Sequence, residues 1–401
     1  MDCLVVVVGM AEYVKQSIFT LGAEIISDIM QTKQFKRLYD VRRLGSLCYI
    51  FEPFHRVSMH DSSMRMLEIT CHWLDALIGN PSPVYSITKK DVLCVKIAAL
   101  VYNIGQRSWL FTSTSHAHEQ DSVRFFMHLL HENLHILHAL LFGYGLCSDD
   151  ISQICRFIQG DADHPLGFIV NNPHSKLDVN TIEMFTRFSV FWATDIRSLV
   201  WTGDNVKEMF AYSRFVLHEG KPTIAFAKRA RVLVNKYYRS FATLHSFMVM
   251  HPTVNAVHLM RIQANIDVND QDWNDYNIHR FPDLMQRLES RNIYTLLDEM
   301  FLTTGSLDEV LSLSNAMIEG ILRYSTDVVM ADLVVSTTLY DSNMRCESAA
   351  RALLSVTPGG VISAFDVDIV NLLHHEYVGV VRVFSKAVNK PKETPDFKGY
   401  F

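Results

Sequence analysis

The chain has 401 residues, 49% of them hydrophobic, with a formal net charge of −6 at neutral pH. That length and apolar content supply a large buried core and exclude a disordered chain. The negative balance gives no global attraction to phosphate backbones, so nucleic-acid binding would need a local basic patch. The seven cysteines are scattered and include no CxxC pair. They read as reduced thiols, which gives an expected intracellular location, cytoplasmic or nuclear. The opening MDCLVVVVGMAE has no basic n-region, its apolar run is too short for a signal peptide, and no later run reaches spanning length, so no membrane span is expected.

In chain order, Leu4 to Val8 and Gln16 to Leu21 predict a short N-terminal β-hairpin. Helical spacing follows from Ile25 to Gly45, where Phe35, Leu38, Val41 and Leu44 share a face, and from Asp61 to Ile78, with Asp61 or Ser62 as the cap. A buried helix is expected over Asp91 to Tyr102, and Gly105 just beyond it reads as a left-handed helix end. A long helix from His118 to Phe142 comes next, then helices over Cys147 to Ile158 and from Val179. Gly220 and Pro222 predict a turn between helices at Leu217 to Ala225, and helical periodicity resumes from Ala225 to His251. Val268 to Asn277 reads as an acidic loop, and two further helices are expected over Pro282 to Thr304 and Leu307 to Tyr324.

After Ser325 the period changes. Val328 to Thr338, Gly360 to Phe365 and Val378 to Phe384 predict strands, with helices near Ser348 to Ser355 and Asp366 to His375. The expected architecture is mainly α: a helical core over 1–325, a small C-terminal α+β lobe over 326–388 and a Lys/Pro tail over 389–401.

Three patterns could carry chemistry. Residues 131 to 135 spell HENLH within a His-rich helix, the spacing of a zinc protease, but three positions arise by chance in a chain with 18 histidines and no third ligand follows. The basic run Lys228-Arg229-Ala230-Arg231 with Lys236 reads as the solvated face of a helix. The third pattern is Lys96 to Gln106, KIAALVYNIGQ, a buried helix that ends in two polar side chains, Tyr102 and Asn103. No Gly-rich phosphate loop and no serine elbow accompany these.

Taken together, FKRLYDVRRLG (35–45), His60, AALVYNIG (98–105), HEQDSV (118–123) and LDVNTIEMF (177–185) occur in the order that resembles the HD-domain deoxynucleoside triphosphate triphosphohydrolases, of the kind that joins a sterile-alpha-motif to an HD domain. The likeness extends through LESRNIYTLLDE (288–299) into the C-terminal strands, and no sterile-alpha-motif is expected ahead of it. The resemblance implies an HD-domain helical core and one divalent metal held by a His, a His-Asp pair and a more distant Asp. Carried over, those positions are His60, Tyr102, Asn103 and Asn180, so three of the four ligands are replaced. A protonated phenol and two amides offset little of a dication's charge, and no metal and no cofactor are expected.

Other positions that the resemblance implies are also changed. The phosphate-contacting arginine falls on Phe241, the sugar-packing tyrosine on Val249, and the tyrosine after the distant Asp on Met184; His118, Arg187 and His245 are retained. The glycine-rich turn after the His-Asp pair reads Gln106-Arg107-Ser108-Trp109, and the nucleotide-driven assembly positions carry Gln31, Lys36 and Tyr39. The sequence reading is therefore a catalytically inactive relative with an interaction, regulatory or structural role, forming a homo-oligomer with protein partners the sequence does not name. Two alternatives stand beside it. One is a remodelled metal-dependent phosphohydrolase that uses the histidine-rich helix, or Asp178, Glu183 and Asp121. The other is a non-catalytic binder of nucleotide or single-stranded nucleic acid through Arg107, Trp109 and Arg187.

Overall fold

The computed structural model describes residues 18–45, 57–106, 117–160, 163–192, 201–244, 251–263, 282–303, 333–339, 354–364 and 377–386. The expected strand Leu4–Val8, Arg107, Trp109, His245, Val249, the boundary at 325/326, the helices expected over 307–324 and 366–375, and the tail lie outside these residues. The described chain is mainly α, as expected, and its contacts divide it into two units.

The first unit comprises residues 1–45, 56–241 and 346–369. Its principal helices are α1 (Ala23–Gln31), α2 (Met59–Gly79), α3 (Lys89–Val101), α4 (Ala117–Glu132), α5 (Ser148–Gln159), α6 (Val179–Trp192), α7 (Gly203–Ala211) and α8 (Arg231–Leu244). α2 begins two residues before the expected start because Ser58, not Asp61 or Ser62, is the cap. Its Oγ accepts from the amide of Asp61, whose carboxylate accepts in return from the Ser58 amide. Thr88 and Asp91 form the same reciprocal pair at the start of α3. α3 lies between α2 and α5, and every residue from Val92 to Val101 is buried, so its apolar run has no solvent face. The one charge in that run, Lys96, is satisfied by the carbonyls of Ile18 (2.8 Å) and Leu21 (2.7 Å). Those carbonyls belong to a helical turn at Ile18–Thr20 and to the turn residue after it, Leu21, where an extended strand was expected.

Several expected helices are broken. The run 25–45 divides after Gln31 and ends in a 3-10 turn, Arg37–Tyr39. The long helix at 118–142 stops at Glu132, because Asn133 leaves helical geometry (φ −118°, ψ 68°), and restarts at Leu134. His131 and His135 therefore do not sit one turn apart on a continuous helix, and both are exposed. The turn expected at 217–225 is a β-hairpin. β1 (Ser213–His218) and β2 (Lys221–Ala227) pair antiparallel around Glu219 and Gly220, both with positive φ, as a two-residue primed turn requires. Strands β5 (Leu354–Val356) and β6 (Ile362–Ala364) extend this sheet in the order β1-β2-β5-β6, with β2 and β5 parallel. β5 replaces the end of the helix expected near 348–355. The Trp73 ring of α2 stacks on Phe210 (4.6 Å) and its indole N–H reaches Ser213 Oγ, which ties α2 to this hairpin.

The second unit contains α9 (Pro252–Gln263), α10 (Pro282–Glu289) and an antiparallel sheet in the order β3-β7-β4, with β3 at Thr295–Thr303, β4 at Leu333–Leu339 and β7 at Tyr377–Ser385. β3 occupies a stretch expected to be helical; its ladder with β7 overrides the helix-favouring Leu, Glu and Met residues. Glu299 sits directly opposite Arg382, and the two form a 3.1 Å ion pair.

Candidate functional site

All four positions carried over from the resemblance are in the first unit. His60 is the second residue of α2, and its backbone is set by the Ser58 cap and by the amide of Met59 donating to the Val41 carbonyl. His60 is buried; its imidazole meets Phe35 edge-on and lies flat under Tyr39, with centroids 3.8 Å apart and planes at 16°. Nδ1 is 3.9 Å from Asp61, beyond hydrogen-bond length. Burial lowers the His60 pKa below its ordinary value, and the neighbouring Asp61 only partly opposes this.

Tyr102 and Asn103 lie in the turn that ends α3, and both are buried. The Tyr102 hydroxyl donates to Glu119 of α4 at 3.2 Å, and its ring meets His118 edge-on at 4.9 Å. Burial, followed by the Glu119 and Asp178 carboxylates, raises the phenol pKa well above its usual value, and Arg43 only partly offsets them. Glu119 also lies 3.8 Å from His118 Nδ1; burial pushes its carboxyl up, but the contacts with His118 and Tyr102 hold it below the ordinary range. The Asn103 amide donates to Met66 Sδ on α2 at 3.2 Å. Gly105 has no left-handed φ, contrary to the sequence reading. It is needed for space: a Cβ there would stand 2.3 Å from the Ser122 nitrogen and 2.4 Å from the Asp121 carbonyl carbon. Ser122 Oγ closes this contact, accepting from the Gly105 amide and donating to the Tyr102 carbonyl.

Asn180 lies in the first turn of α6. Its Oδ1 accepts from Arg43 Nη2 at 3.1 Å, and Arg43 Nε donates to Glu183 at 3.3 Å. Glu183 is fully buried; it also receives Arg187 Nε and the Ser62 hydroxyl. Asp178 caps α6, accepting from the amides of Thr181 and Asn172, and burial raises its pKa. Asp121 is 3.6 Å from Arg124. The three carboxylates considered as substitute ligands are thus occupied by an N-cap and by arginines. Among the described residues, no group of three or more His, Cys, Asp or Glu side chains could hold a metal ion.

No family profile matches the chain. Individual relatives do.

The chain is similar to the SAMHD1 triphosphohydrolases. It is 22% identical to the deoxynucleoside triphosphate triphosphohydrolase SAMHD1 homolog of Dictyostelium discoideum, over 78% of this chain and 64% of that protein. It is 26% identical to human deoxynucleoside triphosphate triphosphohydrolase SAMHD1, over 60% of this chain and 42% of that protein. With the chicken protein the figures are 30% identity, 34% and 23%. The chain therefore spans less than two thirds of the length of these relatives, and at low identity the likeness supports the HD-domain triphosphohydrolase relationship suggested by the motifs.

Of the remaining positions, Phe241 is a core residue packed edge-on against Phe185, and Met184 is half-buried. Arg187 is engaged by Glu183 and by the Asp61 carbonyl. Gln31, Lys36 and Tyr39 are exposed. The basic run is also exposed around buried Ala230, with Arg229 over the Tyr212 ring and Lys236 on Asn205. Sequence reasoning missed two participants, Tyr39 as the lid on the His60 ring and Arg43 as the partner of Asn180. Both contacts join residues far apart in the chain, and neither belongs to a local motif. Among the described residues no helix is long and apolar enough to cross a membrane.

Proposed function

We propose that this chain is a catalytically inactive relative of the deoxynucleoside triphosphate triphosphohydrolases, with an intracellular interaction, regulatory or structural role carried out as a homo-oligomer. The observation that carries this reading is the pairing of Tyr102 with Glu119. A phenol held protonated by a raised pKa is only a weak neutral oxygen donor, and its hydroxyl is already committed to a carboxylate, so it offers a divalent cation far less than an imidazole nitrogen does. The other positions support it: the Asn103 amide is turned to a thioether, the Asn180 oxygen is taken by a guanidinium, and the remaining His60 is a single ligand. These side chains do not fit a divalent ion.

The test is elemental analysis of the purified protein together with a triphosphate-release assay on dNTPs in excess manganese and magnesium. The expected result is no stoichiometric metal and no release above the blank. One bound ion per chain with measurable triphosphate release would overturn the reading.

A further inference from the structure

The environment of Arg43 suggests how the fold holds together at a site without metal ligands. The Val41–Arg43 segment is pinned to the start of α2: the Arg43 amide donates to the Val57 carbonyl, and the Met59 amide to the Val41 carbonyl. From that fixed backbone the side chain, 11% exposed, spreads two donors over α6, one to Asn180 Oδ1 and one to Glu183 Oε2. The second oxygen of Glu183 takes Arg187 Nε from the next turn of α6 and Ser62 Oγ from α2, and Arg187 continues to the Asp61 carbonyl beside His60. The group contains two guanidinium cations and one carboxylate, so it keeps a net positive charge in the place where the resemblance implies that an ion would link the same elements.

We propose that Arg43 is a built-in replacement for the metal: a positioning cation that ties α6 to the start of α2 and excludes a divalent ion by charge as well as by occupancy. This rests on the reading of the site as one without a metal, and adds a separate claim. The ligand substitutions alone do not explain the loss of the ion, because a fixed guanidinium bonded to Asn180 repels a dication even after the ligands are restored.

Two measurements test it. The first is a thermal-unfolding cycle in EDTA with the unmodified chain, Asn180→Asp, Arg43→Met and the double variant. Asn180→Asp should raise Tm when Arg43 is present, since a neutral acceptor becomes an ion-pair partner, and should fail to raise it in the Arg43→Met background. Equal shifts in both backgrounds overturn the proposal. If Arg43→Met does not fold, the absence of a Tm rise in Asn180→Asp alone also overturns it. The second is isothermal titration of Mn²⁺ into the combined Tyr102→His, Asn103→Asp and Asn180→Asp variant, with and without Arg43→Met. The variant lacking Arg43 should bind about tenfold tighter or more; equal affinities overturn the proposal. The EDTA cycle reports on Arg43 whether or not the unmodified chain hydrolyses dNTPs, so failure of this proposal is distinguishable from failure of the functional reading.

Discussion

The hydroxyl of Tyr102 and the carboxylate of Glu119 meet at 3.2 Å across the junction of α3 and α4, the phenol buried and the carboxylate half-buried beside His118. Tyr102→Phe keeps the ring contact with His118 and removes only the donor. A hydrogen bond to a charged acceptor contributes about 1.5–3 kcal/mol, so the variant should lose roughly that amount of stability in urea unfolding, with an unchanged m-value. No loss would mean that the bond is not formed in solution.

Gly105 has a different constraint. A methyl group there would press on the backbone of Asp121 and Ser122, and backbone cannot yield as a flexible side chain does. Gly105→Ala should cost about 3 kcal/mol, or shift α4 enough to change the near-ultraviolet dichroism of the neighbouring aromatic residues. A variant as stable as the parent would contradict the observed approach of the two elements.

Acidity provides a third measurement. The His60 imidazole has a pKa lowered by burial, so the folded state keeps it neutral where the unfolded chain, with an ordinary value of 6.5, takes up a proton. The unfolded state then binds more protons, and its share of stability is complete above about pH 6.5 and declines as the pH falls toward the folded value. Half-buried His72 is lowered as well, by desolvation first and by the Lys207 charge second, and acts in the same direction. Urea midpoints should fall between about pH 7.5 and about pH 5.5. His60→Phe keeps a ring between Phe35 and Tyr39 and should reduce that slope.

Ser58 accepts the α2 amide of Asp61 and fixes the turn that carries His60. Ser58→Ala should cost about 1 kcal/mol in chemical unfolding, and Ser58→Asp should restore most of it, because a carboxylate can accept the same amide.

Much of the first unit was legible in local pattern. α3 has an unbroken apolar run, its end is marked by two polar residues and a glycine, and the structure places all of these where the pattern indicated, although the glycine provides space and not a left-handed turn. The parts that could not be read depend on partners distant in sequence. β3 contains helix-favouring residues and becomes a strand only because β7 is there to pair with it. The β1–β2 hairpin had a signal that was passed over: Glu219-Gly220 between the β-favouring FVL and TIAF stretches fits a two-residue turn better than an interhelical loop. HENLH, read as a chance pattern within one long helix, does not even lie on a continuous helix, since Asn133 interrupts it in the middle of the motif. Arg43 lies between the core positions Val41 and Leu44, and nothing near it in the chain indicates that it spans to α6.

The junction of Gly105 with Ser122 separates the shape of the Tyr102 turn from its chemistry. The amide of Gly105 and the carbonyl of Tyr102 are both satisfied by one serine hydroxyl, and the approach of the two elements depends on a missing Cβ. The turn is thus fastened by main chain and a single side chain, none of which would be a metal donor. A chain built this way can exchange the side chains at positions 102 and 103 while the architecture around them persists.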